Sequence, residues 1–290
     1  MSAKIKMMFD ETTYTLTYVV FDEATKDAII IDPVLNYEQA ASKISYESVE
    51  SLESFINENN LKVHYLLETH AHADHLTGAA ELKERLGGPK IAINKNITKV
   101  QEIFKDLYNM RSLNPNGEQF DELLDDGQVI KAGSINVEVI FTPGHTPACT
   151  TFKIEDNLFT GDALFMPDSG TGRCDFPAGS AKDLYNSIQN KIYKFADDTK
   201  IFVGHDYQPN GRELKYQTTV GDSKKNNIQL KAETTENEFT EFRTVRDDSL
   251  NAPKLLLPSL QVNIQAGELP EAEDNNTSYL KIPLRKVSKK

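Results

Sequence analysis

The sequence predicts an α/β protein, and three observations carry that expectation. Short apolar runs alternate with segments of helical period through the first two thirds of the chain. Most of these runs end in loops rich in Gly, Asp and Thr. Five of the six histidines fall in three of those loops, a clustering that histidines scattered through a core would not produce.

Taken in order, residues 14–20 read as a strand of β-branched and aromatic residues. A polar turn at 22–26 then leads to the apolar run 28–31, which stops at Asp32-Pro33. The pair reads as a hairpin with at least one fully buried strand. Residues 47–59 place Val49, Leu52, Phe55 and Ile56 on one side of an amphipathic helix, with Ser45 or Ser48 as its cap. A short strand at 63–67, in which His64 is a strand residue without chemistry, runs into the first histidine loop. A helix is expected over 76–86, stopped by Gly87-Gly88, and a strand over 90–93. Alternation over 135–140 marks a half-exposed strand after the turn at Gly133. Residues 150–154 and 158–160 form a hairpin, followed by a helix over 181–194 and a strand over 200–203. The texture then becomes polar and charged. The expected organisation is a catalytic domain over 1–210 and an arm over 211–290 packed on the same domain.

Composition narrows the function classes. With 32 basic and 44 acidic residues in 290, the net charge is −12, which argues against nucleic acid or an anionic membrane as the main partner. No stretch approaches the ~20 apolar residues of a membrane span, and the first residues lack the apolar run of a secretory signal. Two cysteines, Cys149 and Cys174, make no disulfide framework and fit a reducing compartment, so a cytoplasmic location is expected. Packing is the favoured role for both thiols.

The histidine loops carry the chemistry. In His70-x-His72-x-Asp74-His75, four metal-ligand side chains stand within six residues, separated by small alanines that let a tight loop turn them inward. His145 follows Pro143-Gly144, Asp162 ends a buried-looking strand at Gly161, and His205 follows Gly204 at the end of another. Imidazole nitrogens and carboxylate oxygens bind divalent first-row metals, whose sites usually gather ligands from several loops. A carboxylate buried without a partner is costly, and a cation removes that cost. These seven residues are the candidate metal site.

Together, His70-x-His72-x-Asp74-His75, Pro143-Gly144-His145-Thr146, Gly161-Asp162 and Gly204-His205 resemble the metallo-β-lactamase superfamily over roughly residues 5–210. The resemblance implies a four-layer αββα sandwich, here with a C-terminal extension, and metals at one edge where two sheets meet. Ile31-Asp32-Pro33-Val34, Thr142–Cys149, Phe159–Phe165, Gly172-Arg173-Cys174-Asp175-Phe176 and His205-Asp206-Tyr207 are similar to its persulfide dioxygenase branch. The loop 166–172 is longer than in animal members.

That branch implies one Fe(II) per chain on His70, His145 and Asp162, a facial triad with open positions. It implies oxidation of glutathione persulfide, or a related small persulfide, with O2 to sulfite and thiol in sulfide detoxification. His72, Asp74, His75 and His205 would then orient ligands and hold water. The alternative is a dizinc hydrolase of glyoxalase II or lactonase type, in which those four residues bind metal directly. Against it stands the weak helical periodicity of the arm. A metal-free binding module is disfavoured, since no candidate ligand is missing. Arg173 is a candidate for a substrate carboxylate or for holding its own loop, with an ion pair to Asp175 as the structural reading. Tyr207 and Asp175 complete the candidate substrate residues. Expected partners are the persulfide, O2, a separate sulfurtransferase of rhodanese type, and further copies of the chain in a homo-oligomer.

Overall fold

A computed structural model describes residues 3–284. In chain order, β1 (Lys4–Asp10), β2 (Thr15–Phe21) and β3 (Asp27–Ile31) make an antiparallel meander, and β4 (Val34–Glu38) and β5 (Lys43–Ser45) a small hairpin. There follow α1 (Glu47–Glu58), β6 (Lys62–Leu67), β7 (Leu76–Thr77), α2 (Ala79–Arg85), β8 (Lys90–Asn94), α3 (Ile97–Tyr108) and β9 (Glu122–Leu124). The second half contains β10 (Val129–Ala132), β11 (Ile135–Phe141), β12 (Thr150–Ile154), β13 (Asn157–Phe159), α4 (Ala181–Asn190), β14 (Lys200–Phe202) and β15 (Gln217–Thr219). Three helices close the order: α5 (Val220–Asn226), α6 (Glu236–Asp248) and α7 (Leu256–Asn263).

Two six-stranded sheets result, β1-β2-β3-β6-β8-β9 and β10-β11-β12-β13-β14-β15. Strand period explains why the first is buried on both faces. In β2, Leu16, Tyr18 and Val20 enter the layer between the sheets, while Val19 and Phe21 enter the layer under the helices. β3 repeats the split, with Ile29 and Ile31 on one side and Ala28 and Ile30 on the other. A one-residue slip would exchange the two sets, so the register is strongly specified. Val49, Leu52 and Ile56 of α1, Leu82 of α2 and Val100 and Phe104 of α3 cover the outer layer. Leu184 and Ile188 of α4 and Phe239 of α6 join the core of the second sheet. The expected α/β layering is present.

Both sheets present strand ends to one edge. β3, β6, β8 and β9 run parallel. In the other sheet β11 and β13 each run antiparallel to β12, and β14 runs parallel to β13, so all three end on the same side. Backbone bonds join the sheets there: Leu16 N–H to Gly204 O at 2.9 Å and Thr150 N–H to Thr69 O at 2.9 Å.

Several expectations are corrected. Residues 76–77 form strand β7 on β4 rather than a helical turn, and α2 begins only at Ala79. The edge of β4 offers Leu76 and Thr77 a ladder, and Gly78 permits the close turn because a Cβ there would lie 2.9 Å from the Val34 carbonyl oxygen. The helix expected over 181–194 ends at Asn190, and Ile192–Lys194 form a separate 3-10 turn. The segment after 210, polar and weakly periodic in sequence, holds regular elements: β15 completes the second sheet, and α6 carries a full capping box between Thr235 and Glu238. Among the described residues no helix is long and apolar enough to cross a membrane.

Charge is buried in this segment. Arg243 on α6 is 1% exposed and pairs with Asp247 one turn later, while its other guanidinium nitrogen donates to Gln229 Oε1 at 2.9 Å and the Thr171 carbonyl at 3.3 Å. Asp247 Oδ2 also accepts the Cys174 N–H at 2.8 Å. Removing one partner strands the other in a low dielectric. Asp247→Ala is therefore expected to cost about 3–5 kcal/mol in urea unfolding, and the double replacement Arg243→Met/Asp247→Leu much less. A cost below about 1 kcal/mol for the single variant would contradict the pairing.

At the opposite edge, Asp27 accepts from His64 Nε2 at 2.6 Å and from the Ser134 N–H at 2.8 Å. Burial opposes its charge, but these hydrogen bonds, with Thr25 adding to them, lower its pKa from 3.8 to about 2. A depressed carboxyl stabilises the fold above its unfolded pKa, and that contribution is lost as pH falls towards the folded value. Asp27→Asn is expected to be about 1–2 kcal/mol less stable near neutrality, the gap closing as pH drops from 3.8 towards 2. Denaturant titrations at several pH values measure it; a gap that persists undiminished at pH 2 refutes the linkage.

Candidate metal centre

The seven residues singled out in the sequence converge at the edge where the sheets join. His70, His72, Asp74 and His75 lie on the irregular stretch between β6 and β7, directly beyond the end of β6. His145 follows β11, Asp162 follows β13, and His205 follows β14. Local backbone explains the approach. Gly144 has φ +144° and packs so closely on α4 that a Cβ would lie 2.4 Å from Leu184. Gly161, at φ +48°, sits against Thr69, which a Cβ would meet at 2.5 Å.

Each imidazole is oriented through one nitrogen. His145 donates from Nδ1 to the Arg173 carbonyl at 2.6 Å, and His205 from Nδ1 to the Tyr14 carbonyl at 3.2 Å. His70 Nδ1 stands 3.1 Å from Thr69 Oγ1, and His75 Nδ1 stands 3.2 Å from Asp74 and 3.3 Å from Thr15 Oγ1. His72 differs: its Nε2 lies 3.1 Å from Asp32 and 3.5 Å from Glu68, within ion-pair range, and neither of its ring nitrogens makes a hydrogen bond. A carbonyl or carboxylate on one ring nitrogen selects the tautomer and raises the basicity of the other, as metal-bound histidines require.

The inward atoms have no partner. His70 Nε2, His72 Nδ1, His75 Nε2, His205 Nε2 and Asp162 Oδ1 are all buried without a hydrogen bond. Each such group costs on the order of 1–3 kcal/mol, so five of them in one region would be an improbable outcome of packing alone. Divalent cations bind such atoms and remove that cost. His70, His145 and Asp162 each offer a ligand atom within 4.8 Å of the others, as do His72, Asp74 and His75, and also Asp32, Glu68 and His72. His205 Nε2 bridges towards Asp162 at 3.3 Å and Asp74 at 3.4 Å. The residues present fit a metal.

Electrostatics support the same reading. Burial, with His72 and His145 nearby, pushes His70 well below the usual histidine range, which keeps it a neutral imidazole. Burial disfavours charge on His72 and His205 too, but carboxylates win: Asp32 and Glu68 raise the first, Asp162 and Asp74 the second. Burial also opposes ionisation of Asp74, yet His205 and His75 hold it well below the carboxylate range. A bound cation would displace these protons.

The substrate candidates occupy the rim. Tyr207 is 50% exposed, with its ring stacked on His205 at 5.6 Å between centroids. Arg173 forks onto Asp175 at 2.5 and 2.6 Å and donates to the Asn251 carbonyl at 2.7 Å, so its donors are engaged within the chain. Asp175 is correspondingly its partner. Cys149 and Cys174 are buried; burial pushes the first thiol up to about 12 and raises the second further, so neither is a thiolate at neutral pH.

Asp32, Glu68 and Asn263 were not read from the sequence as part of the site. Asp32 accepts from the Thr69 N–H and hydroxyl at 2.7 and 2.8 Å while facing His72, and Glu68 accepts from Thr77 Oγ1. An acidic residue ending a buried run, as at Asp32-Pro33, is the same signal that marks Asp162. Nothing in the local sequence distinguishes Asn263.

A model of the metallo-β-lactamase superfamily domain matches residues 11–205. The chain is 46% identical to glyoxylase B2 of Dictyostelium discoideum, covering 97% of both. It is 44% identical to a beta-lactamase hydrolase-like protein of Xylella fastidiosa, of which it spans 64% while 97% of the chain is matched. Identity to the mitochondrial persulfide dioxygenase ETHE1 of Homo sapiens is 34%, over 70% of the chain and 68% of that protein. The crystal structure of ETHE1 from Myxococcus xanthus superposes with a TM-score of 0.75 at 28% identity, covering 91% of this chain and all of that one. Fold, ligand loops and relatives agree: this chain belongs to the metallo-β-lactamase superfamily, in its ETHE1-like branch.

Proposed function

We propose that the protein is an iron-dependent persulfide dioxygenase, holding one Fe(II) on His70, His145 and Asp162. The observation that carries this reading is the convergence of two imidazoles and one carboxylate within 4.8 Å, in a chain whose relatives include persulfide dioxygenases. Two histidines and one carboxylate are a donor set that suits non-haem Fe(II). Iron held by these residues would supply the redox chemistry that oxygen activation needs.

The chain's residues do the rest. Asp74, with 25% of its side chain exposed, and His145 and Asp162, each 7% exposed, are the more accessible members of the cluster, whereas His70, His72, His75 and His205 are at most 1% exposed. A persulfide entering there meets Tyr207 at the rim. The Tyr207 phenol, half exposed beside His205, is protonated near neutral pH and is a hydrogen-bond donor there. The net reaction converts a persulfide RSSH, O2 and water to thiol and sulfite. Glutathione persulfide is the proposed substrate, generated by a separate sulfurtransferase.

One observation favours a second reading, a dizinc hydrolase of thioesters or lactones. His75 Nε2 and His205 Nε2 are also unpartnered, and with Asp162 between them and His145 they could hold a second ion. The arm contains helices α5 to α7, so its weak helical periodicity is a poor argument against this class.

Anaerobic purification followed by metal analysis and oxygen uptake distinguishes the two. One iron per chain, with oxygen consumed on glutathione persulfide and lost in both His70→Ala and Asp162→Asn, is the expected result. Two zinc ions, glutathione thioester cleavage and no oxygen uptake would overturn it.

A further inference from the structure

The arm beyond residue 205 lies outside the superfamily domain match, yet it reaches the metal-ligand loop through one buried amide. Asn263, the last residue of α7, is 3% exposed. Its Nδ2 donates to the His72 carbonyl at 2.8 Å and to the His75 carbonyl at 2.8 Å, and its Oδ1 accepts the Thr77 N–H at 2.8 Å. Both donor hydrogens and the acceptor are thus engaged on a single six-residue stretch, 72–77, which contains Asp74 and His75. Except at Leu76 and Thr77, that stretch has no ladder of its own. Its backbone path is set largely from outside.

We propose that Asn263 is a positioning residue of the metal centre, clamping both ends of the loop that presents Asp74 and His75. Only an asparagine fits this task at this distance. Aspartate has no hydrogens for the two carbonyls and would repel them, and alanine leaves all three backbone groups unpaired in a dry environment. The approach of α7 is independently constrained. Gly267, at φ +93°, lies where a Cβ would be 3.0 Å from the Ala80 backbone nitrogen. Gln261, two residues earlier, is a buried amide on the same helix that instead binds the chain's own tail, at Lys281 O (2.7 Å) and Lys281 N–H (2.7 Å). It provides a matched control, equally buried and equally bonded but without contact to the ligand loop.

The inference rests on the metal-centre reading but not on which metal is native, so Co(II) is the probe. The metal-free full-length chain is titrated with Co(II) against a competing chelator, following the visible d–d absorption. Unfolding midpoints of the metal-free proteins are measured in parallel. Asn263→Ala and the near-isosteric Asn263→Asp are expected to weaken Co(II) binding by about 10- to 100-fold and to alter its spectrum, as losses of ligand-supporting contacts do. Gln261→Ala should lower the unfolding midpoint yet leave affinity and spectrum at wild-type values. Unchanged Co(II) affinity and spectrum in whichever Asn263 variant folds would overturn the proposal while the metal centre stands. Equal weakening in Gln261→Ala would assign Asn263 a merely structural part. Failure of the wild-type chain to bind Co(II) would remove the metal centre and the clamp together.

Discussion

At the joint of two sheets, one carboxylate oxygen and four imidazole nitrogens, on Asp162, His70, His72, His75 and His205, are buried without a hydrogen-bond partner. Everything around them answers the cost of that arrangement. A metal-free chain can relieve it only by charging His72 and His205 against Asp32, Glu68, Asp74 and Asp162, pairs that burial penalises. A cation relieves it outright. The sheets are joined at that edge by backbone bonds rather than side chains alone, so the ligands from β6, β11, β13 and β14 share one rigid frame.

Around this frame lies a layer of groups that set the rings. Asp32 and Glu68 hold His72, the Arg173 carbonyl holds His145, and the Tyr14 carbonyl holds His205. The carbonyl that orients His145 belongs to a loop fixed in turn by α6, where Asp247 accepts the neighbouring Cys174 N–H and Arg243 bonds to Thr171. α7 performs the corresponding task on the other side through Asn263. The arm is therefore structurally continuous with the centre: two of its helices each hold one of the ligand-bearing loops. This also explains why charged and polar residues on α6 and α7 are buried where a solvent-exposed extension would leave them wet.

Much of the fold was legible because its signals are local. The β-branched apolar run 28–31, stopped by Asp32-Pro33, and the alternation at 135–140 mark strands locally, and both occur. The helix over 47–59 shows its buried stripe in the spacing of Val49, Leu52 and Ile56. Elsewhere the deciding partner was distant. Leu76-Thr77 looks helical until β4 offers an edge, and the charged arm looks irregular because α6 buries little apolar surface and instead encloses the Arg243–Asp247 pair. Arg173, suited by chemistry to a substrate carboxylate, spends its donors on Asp175 and Asn251 because the loop folds back on itself.

By itself the sequence determined which side chains could bind a metal, since ligand type and the glycines beside His145, Asp162 and His205 are local properties. It also determined that they sit at strand ends, because the preceding apolar runs are strands. Only the tertiary structure decided which ring nitrogen of each histidine points inward, because that choice belongs to the group on the other nitrogen. Those groups come from far along the chain. Tyr14 lies 191 residues from His205, and Asn263 lies 191 residues from His72. No periodicity or motif encodes a contact of that span; it exists only once the sheets and the arm have packed.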